Sequence, residues 1–146
     1  MQKKSLKSLK GVFAPTNPEK YIGKNKNQII YRSSWEKLVM HHMDTSEKEK
    51  EWASECVVIP YSFDGKIRRY FTDFFAIMND GRKLVIEVKP LRETKPPRRT
   101  KKKSKKTMLY ESHTYAKNTA KWDAARKYCK KRGFEFVIIT EKELGI

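Results

Sequence analysis

The sequence predicts an α/β domain, with a mixed central β-sheet flanked by helices. Three observations carry that reading. Two strand-like runs, "KIRRYFTDFFAIM" (66–78) and "RKLVIEVKP" (82–90), meet at the turn signal "NDG", which makes an antiparallel hairpin. A helical stretch over 115–132 is followed by the apolar run "FEFVIIT" (134–140), and strand–helix–strand order implies a right-handed crossover and a parallel pair. A further helical pattern precedes the strands, so helices cover the sheet.

In chain order, residues 1–28 are basic, polar and rich in turn formers ("PTNPEKYIGKNKN"). They read as an arm over the surface, part of it mobile, ahead of one domain over 29–146. "SSWEKLVMHHM" follows, with Ser residues placed to cap a helix. Trp35, Leu38, Val39, His42 and Met43 fall on one helical face. "CVVIPY" reads as a short strand, "FDG" as a turn, and the run over 66–78 as one longer strand. After the hairpin comes a basic loop, 91–107, "LRETKPPRRTKKKSKKT", with nine Lys or Arg against one acid. Like charges repel, and the segment is not expected to pack. In the helix over 115–132, Ala120, Ala124, Ala125, Tyr128 and Cys129 can pack, and Gly133 stands where a left-handed cap belongs. "EKELGI" suggests a closing helical turn.

The formal net charge of +17 over 146 residues calls for a polyanion. Nucleic acid is the first candidate and an anionic membrane surface the second. No apolar run approaches the ~20 residues of a membrane span, and the first residues lack the apolar stretch of a signal peptide. Cys56 and Cys129 are scattered, which suits a reducing compartment, and no His has ligand spacing with either.

The chemistry gathers in "YFTDFFA" and "LVIEVKP". Residues i and i+2 of a strand share a face, so Glu87 and Lys89 point together with Val85, while Leu84, Ile86 and Val88 take the core side. Hairpin pairing around "NDG" brings Asp73 toward Glu87 near one end of the sheet. Two close carboxylates repel, and a hard divalent cation, Mg²⁺ or Mn²⁺, relieves them. Lys89 beside it would contact the attacking water and the phosphate being cut. That is a phosphodiester-cutting arrangement.

"TDFFAIMNDGRKLVIEVKP" resembles the motif of the PD-(D/E)XK nuclease superfamily. Asp73 matches the Asp of PD, Glu87-Val88-Lys89 matches (D/E)XK, and Thr72 replaces the Pro, which is no ligand in such sites. The resemblance implies a restriction-endonuclease-like core. It also implies that Glu36 in "YRSSWEKL" completes the acidic cluster, that the Val88 carbonyl adds a metal ligand, and that Lys121 in "NTAKWDAAR" positions phosphate. Over nearly its whole length the chain is similar to the head completion nucleases of large tailed phages, and more distantly to the endonuclease subunit of heteromeric transposases. That likeness implies a Mg²⁺-dependent endodeoxyribonuclease acting on packaged or terminal DNA. Its partners would be capsid, portal or other head-completion proteins, in the virion or the host cytoplasm and away from membranes.

Each residue also has a plainer reading. Exposed Glu–Lys pairs on strands are common, and D…ExK alone is a weak signal. Arg32 can hold a phosphate beside the donors of Ser33 and Ser34, or pair with an acid. Arg98, Arg99, Lys101, Lys102, Lys103, Lys105 and Lys106 are expected to clamp the DNA backbone without reading bases; the plain alternative is solubility. His41 and His42 point about 100° apart and suit packing and solvent rather than one metal. Asp44, Glu47, Glu49 and Glu51 read as a solvated turn, and Trp35 and Trp122 as buried. The rival functions are a non-catalytic basic component of the phage head or neck that grips DNA, and a small RNA-binding protein.

Overall fold

Residues 66–78 do not make one strand. In the computed structural model, which describes residues 8–146, the run breaks into β5 (Lys66–Phe71) and β6 (Phe74–Met78), with Thr72 and Asp73 between them. β5 turns back on β4 (Val58–Phe63) as a separate two-stranded hairpin. β6 enters a four-stranded sheet of order β3-β6-β7-β8, where β3 is Glu49–Ser54, β7 is Lys83–Val88 and β8 is Glu135–Ile139. Two bonds to the Val57 carbonyl hold the break: the Thr72 N–H donates at 3.1 Å and the Thr72 hydroxyl at 2.9 Å.

The expected pairings form. β6 and β7 are antiparallel, with Phe74 opposite Ile86, and β7 and β8 are parallel, with Glu87 opposite Ile138. The sheet is mixed and helices cover both faces, as the sequence predicts. On one face lies α1 (Ser34–Thr45), whose Trp35, Val39, Met40 and Met43 join Trp52, Phe74, Ile86 and Val88 in the main core. On the other lies α2 (Lys105–Arg132), where Trp122 and Ala125 pack with Ile59, Tyr61 and Tyr70 of the hairpin and Phe136 and Ile138 of β8. The hairpin is therefore a flap pinned between α2 and the sheet. Gly133 ends α2 at φ 72°, the left-handed cap the sequence predicts.

Four expectations need correction. The stretch read as an irregular arm forms strand β1 (Ser8–Phe13), antiparallel to β2 (Ile29–Ser33), and buries Tyr21 against Trp52 with ring centroids 4.7 Å apart. Residues 1–7 of that arm lie outside the described residues. The acidic turn is not solvated throughout. Glu49 and Glu51 belong to β3, and Asp44 is buried with its carboxylate accepting the Thr16 and Asn17 N–H groups at 2.8 and 3.0 Å. Those donors satisfy an anion that would otherwise be costly to bury. Leu38 and His42 face solvent, and Met40 takes a core place instead. The long helix begins at Lys105, capped by Ser104, whose hydroxyl accepts the Thr107 N–H at 3.1 Å. Lys105 and Lys106 thus belong to the helix, and the basic loop ends at residue 104.

α3 (Glu141–Leu144) closes the described chain with a reciprocal cap between Thr140 and Glu143. No helix is long and apolar enough to cross a membrane among the described residues.

Candidate active site

The break at Thr72–Asp73 decides what can meet. The chain changes sheets there, and Asp73 stands where the hairpin and the central sheet diverge, at the last turn of chain before β6. Its backbone carbonyl accepts the Glu55 N–H at 3.1 Å. Its Oδ2 accepts the Val88 N–H at 2.8 Å. That bond ties Asp73 to the residue between Glu87 and Lys89, so the two halves of the motif are joined through the backbone.

Alternation along β7 sends Ile86 and Val88 into the main core and Glu87 to the opposite face, toward Tyr70, α2 and the side chains of β8. The strand is buried on both faces, so Glu87 is not the exposed acid of a surface pair. Only 6% of it is exposed. The Tyr70 hydroxyl donates to Glu87 Oε1 at 2.7 Å, and Lys89 Nζ lies 3.7 Å from Glu87 Oε2. The two oxygens therefore have different neighbours. Burial, then the facing Glu87 charge, push the Tyr70 hydroxyl well above its ordinary range, so it stays a donor.

Burial first, then the Glu87 charge, hold Asp73 well above the usual carboxylate range; the Val88 N–H opposes this. Asp73 and Glu87 are thus a close, water-poor pair that cannot both ionise without cost. The donor set they offer, two hard carboxylates, is the type Mg²⁺ takes.

Glu36 stands at the margin. Its Oε1 accepts the Arg32 N–H at 3.0 Å, and its own N–H donates at 3.1 Å to the hydroxyl of Ser33, which caps the start of α1. Burial, opposed by Arg32, raises its pKa, and Glu87 and Glu55 add smaller upward pushes. It feels the acidic pair without joining it, and no group of three or more His, Cys, Asp or Glu side chains gathers to hold a metal among the described residues.

Lys121 comes to the site from α2. Its Nζ sits 5.5 Å from the centroid of the Tyr70 ring. Burial lowers its pKa, with Lys89 and Lys117 adding to the effect and Glu87 opposing it. The guanidinium of Arg32 pairs with Glu55 at 2.8 Å, the plainer of its two readings. Of the basic segment, Arg98, Arg99, Lys101, Lys102, Lys105 and Lys106 are exposed. Lys103 is committed elsewhere: its Nζ meets Glu111 Oε1 and the Arg98 carbonyl at 2.8 and 2.7 Å.

Sequence reasoning missed Tyr70. It lies outside the D…ExK spacing and reaches Glu87 from a strand of a different sheet. The available signal was weak: a Tyr three residues before the Asp.

Comparison with known proteins bears on this geometry. The family described as "TnsA-like endonuclease N terminal" matches residues 46–141. The chain belongs to the TnsA-like endonuclease family. The matched span holds Tyr70, Asp73, Glu87, Lys89 and Lys121, and begins after Arg32 and Glu36. The chain is also 40% identical over 139 residues to the head completion nuclease of Enterobacteria phage T4, covering 92% of each sequence. Both resemblances read from the sequence, to the phage nucleases and to the transposase endonucleases, are borne out. No solved structure matches the chain. As a TnsA-like endonuclease it places its best-defined acids at neighbouring strands of a mixed sheet, Asp73 just before β6 and Glu87 within β7.

Proposed function

We propose that the chain is a Mg²⁺-dependent nuclease that cuts DNA during completion of a phage head. The observation that carries the reading is the close Asp73–Glu87 pair, with Glu87 buried and Lys89 Nζ 3.7 Å from it, in a chain of endonuclease family. The 40% identity to a head completion nuclease supports the setting in phage assembly.

In this reading Asp73 and Glu87 hold the cation, the Val88 carbonyl adds to its ligands, and Glu36 acts from the margin through water. Bound there, Mg²⁺ would supply Lewis-acid polarisation of the scissile phosphate and offset the acids' mutual repulsion. Tyr70 keeps Glu87 Oε1 engaged, so Oε2 faces the reacting groups. Lys89 orients the attacking water and neutralises charge that grows on the phosphate oxygens. Lys121 holds a neighbouring phosphate. The water oxygen bonds to phosphorus, the P–O bond to the leaving sugar breaks, and the leaving oxygen takes up a proton.

Arg98, Arg99, Lys101, Lys102, Lys105 and Lys106 contact phosphates along the duplex, in keeping with the +17 charge. Partners in the head, capsid or portal proteins among them, bring the enzyme to its DNA, in the virion or in the infected cytoplasm.

The test is nicking of supercoiled plasmid in Mg²⁺, with and without chelator, by the parent and by Asp73→Ala and Lys89→Ala. Cleavage that disappears with chelator and in both variants supports the enzyme. DNA binding without cleavage in Mg²⁺ or Mn²⁺ would point instead to a basic architectural component.

A further inference from the structure

Between the basic loop and the first half of α2 lies a groove of about 920 Å³. It is at the upper end of the range for pockets that enclose small molecules. One stripe of α2, Tyr110, Glu111, Thr114, Tyr115 and Asn118, lines one wall, residues i, i+4 and i+8 falling above one another. Pro96, Pro97 and Arg98 line the other.

Asn118 is the unusual member. It is 7% exposed, deep for an amide, and it borders the groove. Among the described residues none hydrogen-bonds its side chain, so its donors and acceptor are free for an occupant. Two of the three acids in the wall are already engaged. Glu111 contacts Lys103 at 2.8 Å, and Glu141 Oε1 accepts the Leu91 N–H at 2.7 Å. Lys95 and Arg98 remain exposed at the rim.

Two segments of chain lead from the groove to the acidic site. Leu91 enters the groove two residues after Lys89. Along α2, Asn118 precedes Lys121 by three residues, about 4.5 Å of helix rise.

Resting on the nuclease reading, we infer that this groove holds an unpaired nucleotide of the DNA beside the scissile bond, its base stacked against Tyr110 or Tyr115 and its edge bonded to Asn118. Duplex DNA offers phosphates and groove edges, which exposed lysines serve. Flat aromatic and proline faces above a sunken amide suit a base freed from its partner, because stacking needs an open π-face and an Asn pairs well with base edges. Cations at the rim receive the flanking phosphates. The substrate class that follows is DNA with a single-stranded tail, flap or branch.

The experiment is fluorescence anisotropy in chelator, comparing a blunt duplex with the same duplex carrying a short single-stranded tail. The parent is expected to bind the tailed DNA about tenfold more tightly, the scale of one stacked base. Tyr110→Ala and Asn118→Leu each reduce that ratio to about twofold or less. Tyr110 is 71% exposed, so its replacement does not threaten the fold. Equal binding of both DNAs by the parent, or an unchanged ratio in both variants, overturns the inference. Plasmid nicking by the same preparations separates the two ideas. Cleavage without tail preference removes the groove proposal alone, and tail preference without cleavage removes the nuclease reading alone.

Discussion

Tyr70, on the β4–β5 hairpin, donates a 2.7 Å hydrogen bond to Glu87, on the central sheet. It is the contact through which the flap touches the acidic pair. Tyr70→Phe keeps the ring over which Lys121 lies and removes only the hydroxyl. The expected result is a 10- to 100-fold weaker Mg²⁺ dependence, the usual scale for losing a group that orients a ligand. A Mg²⁺ titration of cleavage, with intrinsic tryptophan fluorescence as a second readout of metal binding, checks it. Unchanged half-saturation in both would show that Tyr70 only fills space.

Asp73→Asn should abolish cleavage and yet stabilise the metal-free chain. An acid with a raised folded pKa holds its proton to higher pH when folded than when unfolded. Above the unfolded value, near 3.8, the folded state binds more protons, so stability falls as pH rises until the folded pKa is passed. Asn carries no such proton. It can still accept the Val88 N–H, and its amide can donate to Glu87. The variant is expected to gain on the order of 1 kcal/mol at neutral pH and to show a flatter pH profile. Urea denaturation in chelator at pH 5 and pH 8 measures both.

Lys89→Ala and Lys121→Ala should differ in degree. Lys89 lies against Glu87, whereas Lys121 sits over Tyr70 and is half-buried. The first is expected to lower the single-turnover rate by ~10³-fold, a typical loss for one group stabilising a transition state. The second should cost about tenfold, mainly in apparent DNA affinity. A rate for Lys121→Ala as low as that of Lys89→Ala would make Lys121 part of the chemical step.

The basic loop should act through counterion release. Replacing Arg98, Arg99, Lys101 and Lys102 together with Ala should reduce the slope of log affinity against log salt by up to about 4. Lys103→Ala should change the slope little and loosen the loop, since Lys103 is bound to Glu111 and the Arg98 carbonyl. A titration of duplex binding from low to moderate salt distinguishes the two.

Glu87, Lys89 and Asp73 were legible because strand alternation and a hairpin signal are local facts. The strand break was not. "YFTDFFA" is uniformly strand-like, and the bonds from Thr72 to the distant Val57 carbonyl, which mark the break, cannot be read from it. β3 was hidden by its Glu residues, one of which, Glu49, is buried with His42 Nε2 3.1 Å from its Oε2. The first three residues of α2, Lys105 to Thr107, read as part of the charged loop, since lysine-rich sequence looks alike whether helical or disordered. Glu36 shows the converse: its position beside the site follows from helix order, but its Oε1 is spent on the Arg32 N–H, which a motif cannot reveal.

β8 also sets a condition on when the protein becomes dangerous to DNA. Its backbone anchors the acidic strand, with Ile139 accepting the Lys89 N–H at 2.9 Å. Roughly fifty residues of chain must be made after Lys89 before that support exists. A polypeptide halted short of residue 135 would carry every motif residue and still be unable to cut, so premature termination yields a harmless fragment rather than a stray nuclease.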